Sequence, residues 1–226
     1  MTDHATTAPP ATPGGQTTID TALEGRAPAR VPLGDPGAWA VLAFSTTSFM
    51  LGLYNAGLVN PNGAAMVVPV AFVFGGVVQL IVAVLEVFRG NVFGAAVFGT
   101  FGPFWIIYGM IENTYAGKVA TVAGTAGATA AVTSGLTVFL SMFAVLTFFF
   151  LIAALRTDAV LVAVVALLLL ALVLLLLGVH GGSSGLVHSS GYVTLAFAIL
   201  GWYHGAADVI GHTFGRKVLP VGPLTR

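Results

Sequence analysis

Six long apolar segments alternate with short polar stretches between residues 39 and 213. The segments cover 39–58, 64–88, 92–111, 133–155, 159–179 and 192–213. Each is close to the roughly 20 residues that a helix needs to cross the hydrocarbon core of a bilayer. Because backbone polar groups must be satisfied within lipid, the segments are predicted to be helices. The pattern therefore predicts an all-α membrane protein with six transmembrane helices.

Turn-forming residues separate most of these segments. The breaks are NPNG at 60–63, RGN at 89–91, RTD at 156–158 and GGSSG at 181–185. The stretch 116–135 is rich in Ala, Thr and Gly, so the sequence leaves open whether part of it extends the fourth helix.

The chain divides into three regions by composition. Residues 1–35 are rich in Ala, Thr, Pro and Gly without an apolar run, which is typical of a disordered tail. Residues 36–215 form the predicted six-helix membrane domain. Residues 216–226 form a short C-terminal tail, which the six-helix topology places on the same side of the membrane as the N-terminus.

Basic residues give the orientation of the predicted bundle. Lys118 lies on one side, and the other seven basic residues lie on the opposite side: Arg26, Arg30, Arg89, Arg156, Arg216, Lys217 and Arg226. Cytoplasmic loops carry the excess of Lys and Arg. We therefore expect a multi-pass protein of the plasma or inner membrane with both termini in the cytoplasm.

The composition excludes several functions. Hydrophobic residues make up 57% of the chain and charged residues 7%, whereas a soluble domain carries about 25% charged residues. The formal net charge is zero and no basic block is present, so nucleic acid is not an expected partner. The absence of cysteine excludes disulfides, thiolate metal sites and cysteine nucleophiles.

Polar side chains inside membrane helices are functional candidates. Ser48 and Asn55 share a helical face with Phe44, and they either bond neighbouring helices or line a pathway. Gln79 lies deep in the second helix and needs a partner or water. Glu86 is predicted to form an ion pair with Arg89 at i, i+3.

His204 and Asp208 lie four residues apart on one face of the sixth helix, with His212 one turn further. Steps of four residues along one helix bring only two ligands comfortably to a metal. The pair His204 and Asp208 is therefore a candidate for an ion pair or a proton relay. Neither a metal site nor a cofactor is predicted.

The string GSSG at 182–185 is similar to the G-x-S-G of rhomboid-type intramembrane serine proteases. A serine hydrolase using Ser183 or Ser184 with a histidine is thus one alternative. However, the pattern that should surround His204 in such an enzyme is absent, and a motif without its context is weak. We therefore expect no enzymatic activity and no catalytic residues.

Several strings in order resemble the acetate uptake transporter family, which includes bacterial acetate/succinate–proton symporters and yeast acetate- and ammonia-linked membrane proteins. They are NAG at 55–57, FGGVVQL at 74–80, Glu86, RGNVFG at 89–94, FGPFW at 101–105 and FGRKVLPVG at 214–222. The sequence departs from the family pattern in one stretch and at one further residue. DPGAWAV at 35–41 replaces Asn-Pro-Ala-Pro-Leu-Gly-Leu, and Phe101 replaces a tyrosine.

This resemblance implies a compact six-helix protomer, a homo-hexamer, and a conduit through each protomer with an apolar constriction. By alignment the constriction residues are Phe44, Phe101 and Leu168. The implied substrate is acetate or a related short monocarboxylate, with succinate as a further candidate. Ser48, Asn55 and Gln79 are the expected hydrogen-bonding groups beside the constriction. A pore for another small solute such as ammonia is the alternative, and proton-coupled and passive transport both stay open.

Overall fold

The computed structural model describes residues 34–224, and helices account for most of that range. The six helices are α1 (Gly37–Asn55), α2 (Pro61–Arg89), α3 (Val92–Met110), α4 (Ala116–Ala154), α5 (Ala159–Gly181) and α6 (Ser184–Thr213). Helix α2 begins with a 3₁₀ turn at Pro61–Met66 and contains a π-helical stretch at Ala71–Val77. No β-strand forms between residues 34 and 224. The all-α prediction is confirmed, whereas the predicted tail at 1–35 lies almost entirely outside the described residues.

Side-chain caps and glycines fix the helix ends. The side chains of Asn91, Asp158 and Ser183 accept hydrogen bonds from backbone N–H groups in the first turns of α3, α5 and α6. Gly90 and Gly182 end α2 and α5 in the left-handed conformation, with φ of 76° and 64°. This conformation favours glycine, which explains the short turns at these two places.

The structure corrects one predicted boundary and decides another that the sequence left open. Helix α6 begins at Ser184 and not near residue 192, because Gly182 and Ser183 alone make the turn after α5. Helix α4 begins at Ala116, so the Ala-, Thr- and Gly-rich stretch at 116–135 extends the fourth helix. Gly124 interrupts it with φ of 67° and ψ of 170°.

Helices α3 and α4 are joined by a π-helical turn at Ile111–Tyr115, giving one run of 63 residues. A straight helix of that length would extend about 95 Å, about three times the ~30 Å hydrocarbon core. Counted as continuous runs, five helical stretches among the described residues are long and apolar enough to cross a membrane.

The helices form a ring around an aromatic core. Helix α1 packs against α6 and α2, α6 against α5, α5 against α4, and α3 against both α2 and α4. The buried core side chains are Phe44, Ala71, Phe101, Phe104, Trp105, Leu140, Phe143, Ala144, Leu168, Ala171, Leu172, Phe197 and Ala198. Many large apolar side chains on the outer faces, such as Phe88, Phe149 and Ile199, are exposed. This distribution suits a protein whose surroundings are apolar.

Glycines bring α1 and α6 into close contact. A Cβ on Gly191 would overlap the backbone nitrogen of Ala56, and a Cβ on Gly201 would overlap the Ser45 hydroxyl. Small residues at such points let two membrane helices approach closely. This interface places Phe44 of α1 beside Phe197 of α6, with 5.7 Å between ring centroids.

Candidate functional site: a chain of internal cavities

An inner cavity of about 160 Å³ lies near the carboxyl end of α6 and the start of α1. Much of its wall is apolar and comes from α1, α3, α4 and α5. The ionisable side chains in its lining are Asp35, Glu86, His204 and Asp208. Gln79 and Asn91 are its further polar groups. The cavity therefore combines apolar walls with a cluster of carboxylates and one imidazole.

A smaller cavity of about 40 Å³ lies further along the bundle, toward the carboxyl end of α1, and is called the outer cavity. Its polar lining comes from Ser48 and Asn55 of α1 and Thr194 of α6, with the indole of Trp105 nearby. Its remaining walls are aromatic and aliphatic and include Phe197.

The side chains of Phe44, Phe101 and Leu168 line both cavities. They are buried, with exposed fractions of 8%, 2% and 7%. The rings of Phe44 and Phe101 meet edge to face, with 5.5 Å between their centroids. The three residues that the resemblance implies thus come together from α1, α3 and α5 at the boundary between the two cavities.

Both cavities continue toward the ends of the bundle. Asn55 lines the outer cavity and also two larger cavities of about 460 and 480 Å³. Asp35 and Asp208 line the inner cavity and also a groove of about 760 Å³ beside the C-terminal segment. A series of cavities with shared walls therefore runs along the bundle.

The structure places the hydrogen-bonding candidates at different levels. Ser48 lines the outer cavity, and its buried Oγ has no hydrogen-bond partner within residues 34–224. It therefore does not bond another described helix. Gln79 lines the inner cavity, where its Nε2 donates to the Gly75 carbonyl and its Oε1 is unpartnered among the described residues. Asn55 lies at the outer end, so the three side chains do not form one cluster.

The predicted ion pair between Glu86 and Arg89 is confirmed, with 3.0 Å between Oε2 and Nη1. Arg89 also pairs with Asp35, at 2.9 Å between Nη1 and Oδ1. Asp35 stands where the family pattern has asparagine. The negative charge of Asp35 is therefore paired with the Arg89 guanidinium, which also pairs with the buried carboxylate of Glu86.

His204 has a partner that the sequence did not reveal. Its Nε2 lies 3.0 Å from Oδ2 of Asp158, and its Nδ1 lies 3.6 Å from Oδ2 of Asp208. The predicted pair with Asp208 is therefore present but is the longer of the two contacts. His212 is exposed and lines the neighbouring groove. Within the described range, no group of three or more His, Cys, Asp or Glu side chains is arranged to hold a metal ion.

Asp158 lies outside the helices, immediately before α5. Burial raises the pKa of its carboxyl, but hydrogen bonds from His204 and from the Leu161 backbone N–H outweigh burial and bring the pKa below its usual value. An aspartate with a lowered native pKa stabilises the fold above the unfolded value of about 3.9. This contribution is lost as the pH falls through the native pKa.

The structure does not bring Ser183 and His204 together, as the serine hydrolase alternative requires. The Oγ of Ser183 accepts the Leu186 N–H as the cap of α6. His204 lies on the same helix, about 30 Å further along. The two side chains therefore cannot form a catalytic pair within this chain.

The sequence did not mark several residues of this region as site residues, and four of them matter most here. Phe150 lines the inner cavity, Phe197 lines the outer cavity, and Asp35 and Asp158 contribute carboxylates at the inner end. Phe150 and Phe197 lie in long apolar segments whose composition gives no signal for a cavity. The RTD turn at 156–158 marked Asp158 only as a turn residue.

A ring of apolar helices around a series of cavities defines a membrane protein of the channel or transporter class. The chain belongs to the GPR1/FUN34/yaaH family, whose model matches residues 20–226. The resemblance to the acetate uptake transporters is thereby confirmed.

Two relatives are similar to the chain over most of its length. The chain is 28% identical over 190 residues to the succinate-acetate/proton symporter SatP of Escherichia coli K12, covering 84% of this chain and 96% of the relative. It is 31% identical over 189 residues to an uncharacterized protein of Methanothermobacter thermautotrophicus, covering 82% and 90%.

The fold is also similar to a solved structure described as the bacterial acetate channel SatP. The TM-score is 0.72 at 27% identity, covering 84% of this chain and 99% of that one.

A shorter match links the chain to a fungal protein, acetate permease A of Emericella nidulans. It is 34% identical over 77 residues and covers 34% of this chain and 26% of the relative.

Proposed function

We propose that this chain is a membrane transporter or channel for acetate and related short carboxylates. The observation that carries the proposal is the meeting of Phe44, Phe101 and Leu168 between two internal cavities. The names of SatP and of acetate permease A support the choice of substrate. On this proposal the chain is a conduit and not an enzyme.

The geometry suits a small amphipathic acid. A cavity needs about 10–15 Å³ to hold one water, so the inner cavity has room for a short carboxylic acid together with water. An apolar ring opposes the passage of hydrated inorganic ions and can gate by dewetting. The apolar methyl group of acetate can pass such a ring. Beyond the ring, the Ser48 hydroxyl has no partner within residues 34–224 and can donate a hydrogen bond to the carboxylate.

We further propose six membrane spans and a homo-hexamer. The run of 63 residues is about three times longer than one span requires, and the non-helical Gly124 lies between its two apolar parts. The hexamer is what the family resemblance implies. Native mass spectrometry of the detergent-extracted protein tests it, and a mass of any other oligomer contradicts it.

Flux into liposomes tests the function. Purified protein is expected to carry labelled acetate above the rate of protein-free liposomes, under separately imposed pH and voltage gradients that distinguish proton-coupled from passive transport. Leu168→Trp should abolish this flux, because the larger side chain fills the constriction. The neighbouring Leu170→Trp is the matched control, since Leu170 is 45% exposed on the outer face. Acetate flux no higher than that of protein-free liposomes contradicts the proposal.

Ammonia is the second candidate solute. A relative named ammonia transport outward protein 2, of Saccharomyces cerevisiae, is 37% identical over 91 residues, covering 38% of this chain and 31% of the relative. The same liposomes under an ammonium gradient separate the two candidates. Ammonia flux without acetate flux would favour this second function.

Cysteine labelling tests the proposed topology, in which both termini are cytoplasmic. The chain has no cysteine, so a single introduced cysteine reports its own position. Asn62 and Arg156 are exposed at opposite ends of the bundle. In intact cells an impermeant maleimide should label Asn62→Cys and not Arg156→Cys, because the positive-inside rule places Arg156 in the cytoplasm. Labelling of Arg156→Cys from outside contradicts the topology.

A further inference from the structure

Asp158 joins two helices at the inner end of the bundle. Its Oδ1 accepts the Leu161 N–H at 2.9 Å and so caps α5. Its Oδ2 lies 3.0 Å from Nε2 of His204 on α6. One carboxylate therefore fixes the start of one helix and the position of a side chain on another.

The C-terminal segment holds the backbone around Asp158. The carbonyls of Gly222 and Val221 accept the N–H groups of Ala159 and Val160, at 2.8 and 3.2 Å. The Leu224 N–H donates to the Thr157 carbonyl at 2.9 Å. Backbone groups that a helix start leaves open are thus satisfied by the end of the chain. This pairing restricts where the Asp158 carboxylate can lie.

His204 is the one side chain in the lining of the described inner cavity that can become cationic. Three carboxylates line this cavity: Asp208 lies on α6, Asp35 precedes α1 and Glu86 lies on α2. Asp158, which precedes α5, does not line the cavity but contacts Nε2 of His204. Arg89 is paired with Asp35 and Glu86, and Arg216 and Lys217 line the neighbouring groove. Protonation of the imidazole therefore changes the net charge at the entrance of the cavity.

The two ring nitrogens of His204 both point at carboxylates. A doubly protonated ring donates from Nε2 to Asp158 and places Nδ1–H toward Asp208, 3.6 Å away. A neutral ring that keeps its bond to Asp158 turns the Nδ1 lone pair toward the Asp208 carboxylate. The arrangement thus favours the imidazolium.

We propose that Asp158 is the positioning residue that makes His204 a proton-dependent control point at the inner entrance. This inference rests on the proposed function. With His204 protonated, the ring neutralises part of the carboxylate charge, and a carboxylate anion enters the inner cavity more readily. With His204 neutral, the facing carboxylates repel the anion. The proton comes from water in the groove that shares Asp35 and Asp208 with this cavity.

Acetate flux measured against pH at a fixed concentration of the acetate anion tests the proposal. Asp158→Asn retains a helix-capping side chain but removes the charge. It should move the midpoint of the flux profile to lower pH by about one unit. His204→Gln should remove this transition, and Asp158→Glu should return the midpoint most of the way to its original value.

Ser183→Ala is the matched control for a lost helix cap. Ser183 caps α6 as Asp158 caps α5, but within residues 34–224 its hydroxyl bonds no histidine. The variant should leave the midpoint unchanged. A midpoint shift in Ser183→Ala equal to that in Asp158→Asn would overturn the proposal, because general loosening would then explain both.

An NMR titration separates this inference from the proposed function. The histidine ring signals of the labelled protein are followed against pH, and the signal missing in His204→Gln is assigned to His204. Asp158→Asn should lower the midpoint of that signal by about one unit. Wild-type acetate flux with an unmoved His204 signal overturns the inference and leaves the function intact. A moved signal without acetate flux supports the positioning role and contradicts the function.

Discussion

Replacing Phe101 with alanine is expected to raise the flux of larger carboxylates, such as lactate or succinate, about tenfold relative to acetate. Phe101 lies between the two cavities, and its ring contacts Phe44 at 5.5 Å and Phe104 at 5.9 Å between centroids. Truncation removes bulk from the boundary that a larger solute must pass. A tenfold change corresponds to ~1.4 kcal/mol in the barrier. The measurement is the ratio of the two fluxes, normalised to folded protein in the liposomes.

Phe143→Ala is the matched control for this prediction. Phe143 belongs to the same buried aromatic cluster, but it lines neither of the two cavities. Both variants should lose stability, by about 3–5 kcal/mol for a buried Phe→Ala change. Only Phe101→Ala should change the ranking of solutes. Unchanged ratios in the alanine variants of both Phe44 and Phe101 would contradict the proposed constriction.

Replacing Gly191 with alanine is expected to separate α1 from α6 and to destabilise the fold by about 3 kcal/mol. The added methyl group would overlap the backbone nitrogen of Ala56 and lie 2.7 Å from the Asn55 carbonyl carbon. Backbone atoms cannot move aside as the end of a side chain can, so the helices must shift. We expect a midpoint of thermal unfolding in detergent lower by about 6–12 °C, with less acetate flux because the outer cavity is built from these helices.

Gly185→Ala is the control on the same helix. The nearest atom to its added methyl group is the Ser183 Oγ, at 3.9 Å. Alanine also has a higher helix propensity than glycine, by about 1 kcal/mol. This variant should therefore keep or slightly raise the unfolding midpoint. Equal loss in both variants would show that the close approach at Gly191 is not what limits stability.

The sequence determined the features that depend on local chemistry. Apolar segments of membrane length predicted helices, and the asparagine, aspartate and glycine residues at their ends predicted most turns. The pair of Glu86 and Arg89 followed from an i, i+3 spacing on one helix. The strings shared with the family indicated Phe44, Phe101 and Leu168. Several matching strings in the same order identify individual residues, whereas the hydrophobic pattern of an apolar helix does not.

Only the tertiary structure decided how the helices face one another. Helix α5 is apolar on nearly every side, so its sequence does not show that Leu168 faces two cavities and Leu170 faces outward. The contact of Asp158 with His204 joins residues 46 positions apart, and that of Asp35 with Arg89 joins residues 54 apart. Such contacts depend on where the helices cross, and glycine packing favours one of these crossings, that of α1 with α6. The backbone hydrogen bonds of a helix form within one segment, so its sequence is enough to predict them. A cavity forms only where several helices meet, so it depends on the tertiary structure.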